Sequence, residues 1–562
     1  MTASSSPSSP SSPAPRHAPA LDIEAFPSDS SLMLTLLVAT VLTQDLFFAL
    51  WMATLQAPVA ELCMGSSLNC PRDPSAMVSG TINYLLMLLT PGLVIGLHTS
   101  RRRQRRSTPL AETPFRGVAE AVESLVREAR LSREPTVMVD PRLASGAYVT
   151  GQRGRPLLML GPELLVLREQ SDHGRRIFES VVRHELAHLR TGDLQAYNVL
   201  TVFRPSNLFA GAFIAFAMTL DVLNRNSTPA AMVVALARVV LLTLLGELIV
   251  RAYLRIREHH ADVHAGTTDP EGLLAALGAL GAEADGGDGA GAARLRSWLR
   301  HHPMGTDRLG VARTPGRVLA SSPGRVFLGA TVAGVLLPTL QDMLLRFYGP
   351  RDNFFTPTLC GLLVGVGLTL FVGFTLWRHQ WYAGGPARLG RSALTGVIVA
   401  AGVVTGSWLA LYTRVSGYGL SGIPLAASFL AALAAAAVLL CGWLTLVGAQ
   451  WFRGDPQAHR MPRFLKLAVL PACLLGGWLT AGIWTWGVVL QGVLTGCSTE
   501  GYACRTDSPE LDVARGVTGF FGPGPVLVTV VLIALAVPLV ARFTAPVTEG
   551  RSRAGRPPWR SP

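Results

Sequence analysis

Charge is scarce in this 562-residue chain: 15% of its residues are Asp, Glu, Lys or Arg, against about 25% in a typical soluble protein. Apolar residues make up 49% and mean hydropathy is +0.37. A wholly soluble multidomain protein is excluded. Cysteine is scarce too, at seven residues, which excludes a disulfide scaffold. Lysine is almost missing: of 49 basic residues, only Lys466 is a lysine. With 36 acidic residues the net charge is +13. In so apolar a chain this excess reads as positive-inside topology, not as a nucleic-acid surface. Residues 1–30 lack an apolar run; SSSPSSPSSPAP marks a Ser/Pro-rich tail predicted to be disordered. The tail also lacks the basic start and short apolar core of a signal peptide.

Long apolar runs are what the chain does have. A helix needs about 20 such residues to cross a bilayer. Candidate spans fall at roughly 31–55, 77–98, 200–222, 230–254, 326–345, 357–377, 392–412, 424–450, 467–490 and 521–541. The third carries Arg204, Pro205 and Asn207 at its start. The chain therefore reads as an α-helical polytopic membrane protein of about ten spans. RRRQRR at 101–106 follows the second span and sets that side as cytoplasmic. Alternation then places both termini inside. It also puts Arg378, Arg388, Arg391, Arg453, Arg460, Arg463 and Lys466 on the inner face of a cell membrane. Cys63 and Cys70 fall in the first outer loop, Cys497 and Cys504 in the last. Two short-range disulfides on the oxidising face are expected from that placement.

The expected organisation is a tail (1–30), a membrane hairpin (31–98), a cytoplasmic piece (99–199), a second hairpin (200–254), a second cytoplasmic piece (255–325), a six-span domain (326–541) and a basic cytoplasmic tail (542–562). Water-dependent chemistry belongs to the two hydrophilic pieces. The first contains His184-Glu185-Leu186-Ala187-His188. The run RRIFESVVRHELAHL around it has helical apolar spacing. Positions i and i+4 share a helix face, so His184 and His188 can bind one Zn²⁺. Glu185, one residue along, sits beside the metal as a base for water. A two-histidine zinc usually needs a carboxylate as third ligand. Glu258 and Asp262, also i and i+4, open the second piece. One can bind zinc; the other can accept the free N–H of a ligand imidazole. His259, His260 and His264 are alternative ligands, with surface histidines as the default reading. Glu247 has Arg251 four residues on, the pattern of a local ion pair, and also faces the way to line a wet cavity towards the zinc.

These residues resemble the membrane zinc metallopeptidases of the HtpX and CAAX-prenyl-protease type. There HExxH is followed by two spans and a segment like S-R-x-R-E-[YF]-x-A-D-x-x-A. Here Arg255, Arg257, Glu258, Ala261, Asp262 and Ala265 match, while Leu254 and His259 depart. His302 to Leu309 resembles the later H-P-x-x-x-x-R-I/L, and Gly146 to Gly151 an upstream strand. The resemblance covers about 77–315. It implies zinc ligands His184, His188 and Glu258, the base Glu185 and a supporting Asp262; His302 and Arg308 are candidate substrate or oxyanion contacts. It implies a mainly α, α+β zincin-like domain that hydrolyses membrane or unfolded polypeptides, as in quality control, with one Zn²⁺ per chain. The segments EPTVMVD (134–140), GAYVTG (146–151) and PLLML (156–160) read as short strands offering an edge to an extended substrate. Two other readings compete: a sensor-transducer of the beta-lactam-receptor type, and a non-catalytic membrane scaffold with a zinc site. The spans between the two zinc motifs, and the lack of a long outer loop, weigh against the sensor. The intact Glu185 weighs against the scaffold.

Overall fold

The computed structural model describes residues 33, 90, 92–94, 107–143, 146–152, 154–224, 229–281, 305–320, 322–348, 355–383, 389–410, 423–451 and 468–498. The expected spans at 31–55, 77–98 and 521–541 lie largely or wholly outside these residues, as do both tails, His302, Cys63, Cys70 and Cys504.

A small sheet precedes the helix that carries HExxH. Its strands are β1 (Thr108–Pro109), β2 (Thr136–Val139), β3 (Ala147–Gln152) and β4 (Arg155–Leu160), in the order β1-β2-β4-β3. β2 and β4 run parallel, whereas β3 and β4 form an antiparallel pair with Ala147 opposite Leu160 and Gln152 opposite Arg155. β3 is thus an edge strand. All three strand-like segments of the sequence are strands.

Helices α1 (Arg116–Glu128), α2 (Pro162–Gln170) and α3 (Asp172–Arg190) cover this sheet. The side chain of Ser171 caps α3 by accepting the Gly174 N–H at 3.0 Å. Phe178, Val182 and Leu186, spaced four apart, are almost fully buried with Val118, Val122, Leu158 and Leu160. Each such side chain contributes roughly 1.5–3 kcal/mol by leaving water. Two residues beyond Val182 the helix has turned by about 200°, so His184 and His188 lie on the opposite face.

Two long helices follow: α4 (Asp193–Asn224) and α5 (Pro229–Thr268). A 40-residue helix such as α5 is about 60 Å long, twice a bilayer core. It runs unbroken from the apolar hairpin into Glu258 and Asp262, as the sequence suggests. Across the hairpin Asn207 donates to the Thr243 carbonyl at 3.1 Å. Glu247 accepts from Arg251, at 3.1 Å from Nε, and from Arg204 of α4, at 2.6 and 3.0 Å.

Short helices α6 (Pro270–Gly281) and α7 (Gly305–Arg313) come next, and a 3-10 turn (Pro315–Leu319) leads to the remaining helices. These are α8 (Pro323–Tyr348), α9 (Phe355–Ala383), α10 (Leu389–Leu409), α11 (Ile423–Trp451) and α12 (Leu470–Ser498). They share one apolar core with α4 and α5. Small residues let the helices approach closely: a Cβ on Gly406 of α10 would lie 1.9 Å from the Thr331 carbonyl of α8. Among the described residues six helices are long and apolar enough to cross a membrane: Asp193–Phe216, Met232–Thr268, Pro315–Gln341, Phe355–Gln380, Leu389–Leu409 and Phe429–Gln450. Each overlaps an expected span. The ninth expected span falls on α12, of which Leu470–Thr485 is a shorter apolar stretch. Cys360, Cys441 and Cys473 are free thiols within these helices.

Candidate active site

His184 and His188 project from α3 towards Glu258 of α5. Their Nε2 atoms are 3.3 Å apart. Glu258 places Oε2 3.6 Å from the first and Oε1 3.8 Å from the second. One ligand atom from each of the three lies within 4.8 Å of the others, the arrangement of a metal site. Tetrahedral zinc with bonds of about 2.0–2.1 Å sets ligand atoms roughly 3.3–3.4 Å apart. Two imidazoles and a carboxylate at these separations therefore fit Zn²⁺ in both spacing and donor chemistry. His259, His260 and His264 lie outside this cluster.

The far side of each imidazole is held by a carboxylate. Asp262, fully buried, places Oδ1 3.0 Å from His184 Nδ1. Arg308 of α7 in turn donates to both Asp262 oxygens, at 2.6 and 2.9 Å. The expectation that Asp262 would orient an imidazole thus has its geometry here, and Arg308 reaches the site mainly through Asp262. Its Nη1 is 3.9 Å from Glu258. His188 Nδ1 lies 2.8 Å from Asp193 Oδ2, and the other Asp193 oxygen is paired with Arg257. Asp193 is a site residue that sequence reasoning missed. The signal was the Thr191-Gly192-Asp193 run directly after HExxH. Gly192 takes a left-handed φ of 75°, which breaks α3 and turns Asp193 back beneath His188.

Electrostatics follow from this packing. Burial lowers the His184 pKa, but hydrogen bonds to Asp262 and Glu258 outweigh it and the imidazole is pushed up to about 10. Burial pushes the Glu185 carboxyl up, against the pull of His188 and His184. Arg308 loses some basicity to burial and regains more from Asp262, so its pKa is raised.

Glu185, His184, His188 and Glu258 line a cavity of about 520 Å³. One wall is the start of β3, with Ala147, Tyr148 and Val149; another is apolar, with Leu273 and Leu277 of α6. At the far end of the strand Asn198 of α4 donates to the Gly151 carbonyl at 2.9 Å. Glu247, tied to two arginines, is not part of this lining, so the expectation that it opens onto the zinc is not met in the cavity walls.

Residues 112–315 match the model of peptidase family M48, and the chain carries an M48 peptidase domain of the HtpX and CAAX-protease kind. The domain is that of a metallopeptidase, and six helices among the described residues are long and apolar enough to cross a membrane. The chain is similar to a protein named "Protease HtpX homolog" from Bacillus licheniformis, with 28% identity over 147 residues, 26% of this chain and 48% of the relative. It therefore spans about half the length of the curated relative it matches. No solved structure matches it.

Proposed function

We propose that the chain is a zinc-dependent endopeptidase of the cell membrane that hydrolyses peptide bonds of membrane or unfolded proteins at the cytoplasmic face. The observation that carries this reading is the convergence of His184, His188 and Glu258 beside Glu185 in one cavity walled by an edge strand. The topology proposed with it has about ten spans, both termini inside, the soluble pieces 99–199 and 255–325 in the cytoplasm and a six-span domain at 326–541. The arginine distribution supports that orientation. Two short-range disulfides, Cys63–Cys70 and Cys497–Cys504, belong to the same proposal.

His184, His188 and Glu258 would hold the ion. When bound, Zn²⁺ supplies Lewis acidity, lowering the pKa of a ligating water towards about 7 and stabilising negative charge on a carbonyl oxygen. Glu185 takes the proton of the attacking water and returns it to the leaving amine. Asp262 and Asp193 each hold the Nδ1 side of one imidazole, which would leave both Nε2 atoms available as ligands. An extended substrate adds to β3 at Ala147–Val149, backbone to backbone, which places its scissile bond along the cavity. The apolar wall at Leu273 and Leu277 receives a substrate side chain.

The sensor-transducer reading is not favoured, because the M48 match runs through both zinc motifs and the intervening hairpin. The test is cleavage of an unfolded protein by the detergent-purified, zinc-loaded chain beside Glu185→Gln. Cleavage by the unmutated chain alone is expected. Equal cleavage by both would overturn the assignment of the base, and no cleavage by either would overturn the general endopeptidase.

A further inference from the structure

We propose that Asp193 and Arg257 are positioning residues of the metal site, forming a clamp that fixes His188 and ties two membrane helices together at its edge. The inference rests on the metallopeptidase reading and adds residues that neither the HExxH pattern nor the third ligand supplies.

Three contacts carry it. His188 Nδ1 lies 2.8 Å from Asp193 Oδ2. The other oxygen, Oδ1, is paired with the guanidinium of Arg257. Arg257 Nη2 also reaches the Thr191 carbonyl at 3.5 Å, while Thr191 Oγ1 donates to Asp193 Oδ2 at 3.2 Å. A carboxylate only accepts, so His188 must donate through Nδ1, and in the neutral imidazole that tautomer leaves the lone pair on Nε2, the atom that faces His184 and Glu258. All three side chains are withdrawn from solvent, with 10–12% exposure, where a guanidinium–carboxylate pair holds its geometry well.

The chain of contacts crosses three elements. His188 lies in the last turn of α3, Asp193 is the first residue of α4, and Arg257 precedes Glu258 on α5. The pair therefore joins the site-proximal ends of both hairpin helices and references His188 to the helix that supplies the third ligand. It is the counterpart of Arg308–Asp262–His184 on the other imidazole. Each histidine thus has its own carboxylate and its own arginine, drawn from different parts of the chain.

The experiment uses the full-length chain in detergent and reads metal, not turnover. Zn²⁺ affinity is measured by chelator competition, and the visible absorption of Co²⁺ in the same site reports ligand geometry. Asp193→Ala is expected to weaken Zn²⁺ about 10–100-fold, the range for loss of such supporting partners, and to shift the Co²⁺ bands. Arg257→Met is expected to do the same to a smaller degree, and Arg257→Lys to recover part of the loss. Helical content equal to that of the unmutated chain separates this from misfolding. Should Asp193→Ala fail to fold, Asp193→Asn keeps the shape, loses the charge and is read in the same way. Affinity within about twofold of the unmutated chain and unchanged Co²⁺ bands in both the Asp193 and Arg257→Met variants would overturn the clamp. Metal binding without proteolysis would overturn the endopeptidase reading alone. Failure of the unmutated chain to bind either metal would overturn both.

Discussion

Asp262 and His184 meet at 3.0 Å on the side of the imidazole turned away from His188 and Glu258, and Asp262 has no solvent exposure. Arg308 neutralises that carboxylate with two hydrogen bonds. Removing one partner of so buried a pair leaves the other charge uncompensated, a cost of about 3–5 kcal/mol. Asp262→Ala is therefore expected to lower thermal stability markedly. Asp262→Leu combined with Arg308→Met, which removes both charges, is expected to cost less than Asp262→Ala alone. Thermal unfolding in detergent measures both; equal losses would show that the pair is not coupled.

Glu185 lines the cavity but is not one of the three clustered ligands. Glu185→Gln is expected to retain Zn²⁺ and to lose about 10²–10⁴-fold in cleavage rate, the usual worth of a positioned acid–base group. Metal content by elemental analysis beside a cleavage assay checks this. Loss of metal would place Glu185 among the ligands.

Glu258→Ala is expected to weaken Zn²⁺ by more than the roughly 100-fold upper range for supporting partners. Chelator competition on the intact chain is the measurement. Unchanged affinity would transfer the third position to a neighbouring group such as His259, His260 or His264.

His184 couples metal uptake to pH. Its pKa of about 10 lies above the ordinary 6.5. Before a metal binds, the proton's contribution to stability is complete below about 6.5 and is lost as pH rises through about 10. An ion at Nε2 must displace that proton. Zn²⁺ binding near neutral pH is expected to release it, and affinity is expected to fall as the solution is acidified. Calorimetry in buffers of different ionisation enthalpy counts the protons; a count of zero would contradict the linkage.

Close helix contact in the C-terminal bundle gives a stability prediction remote from the site. A methyl on Gly406 has no room against the Thr331 carbonyl. Gly406→Ala is expected to cost about 1–3 kcal/mol through forced displacement of α8 and α10, and Gly367→Ala, where nothing lies within 4 Å of the added carbon, nearly nothing by that route. Paired thermal unfolding separates the two.

Much of the site is legible in the sequence because its key spacings lie within single helices. His184 and His188 share a face of α3, and Glu258 and Asp262 share one of α5, so helical periodicity alone groups them. The strands at 136–139, 147–152 and 155–160 were equally visible from their β-rich runs. What spacing cannot express is contact between helices. Glu247 reads as the partner of Arg251, four residues on, yet Arg204, 43 positions earlier in sequence, grips it with two hydrogen bonds. Asp193 stands at the start of α4, an acidic residue at the positive dipole end, and no spacing within one helix links it to His188. Only the turn at Gly192 brings it to His188.

The unbroken length of α5 has a mechanical meaning. Glu258 is carried on the same rod as the apolar residues of the candidate span, with no proline within Met232–Thr268 to act as a joint. A long span adapts to bilayer thickness by tilting. Tilting a stiff lever moves its far end most, so a change in lipid thickness would be felt at Glu258 as a change in its distance from α3. In such a design the membrane would be more than an anchor: its thickness would act as a setting of the geometry of the proposed metal site.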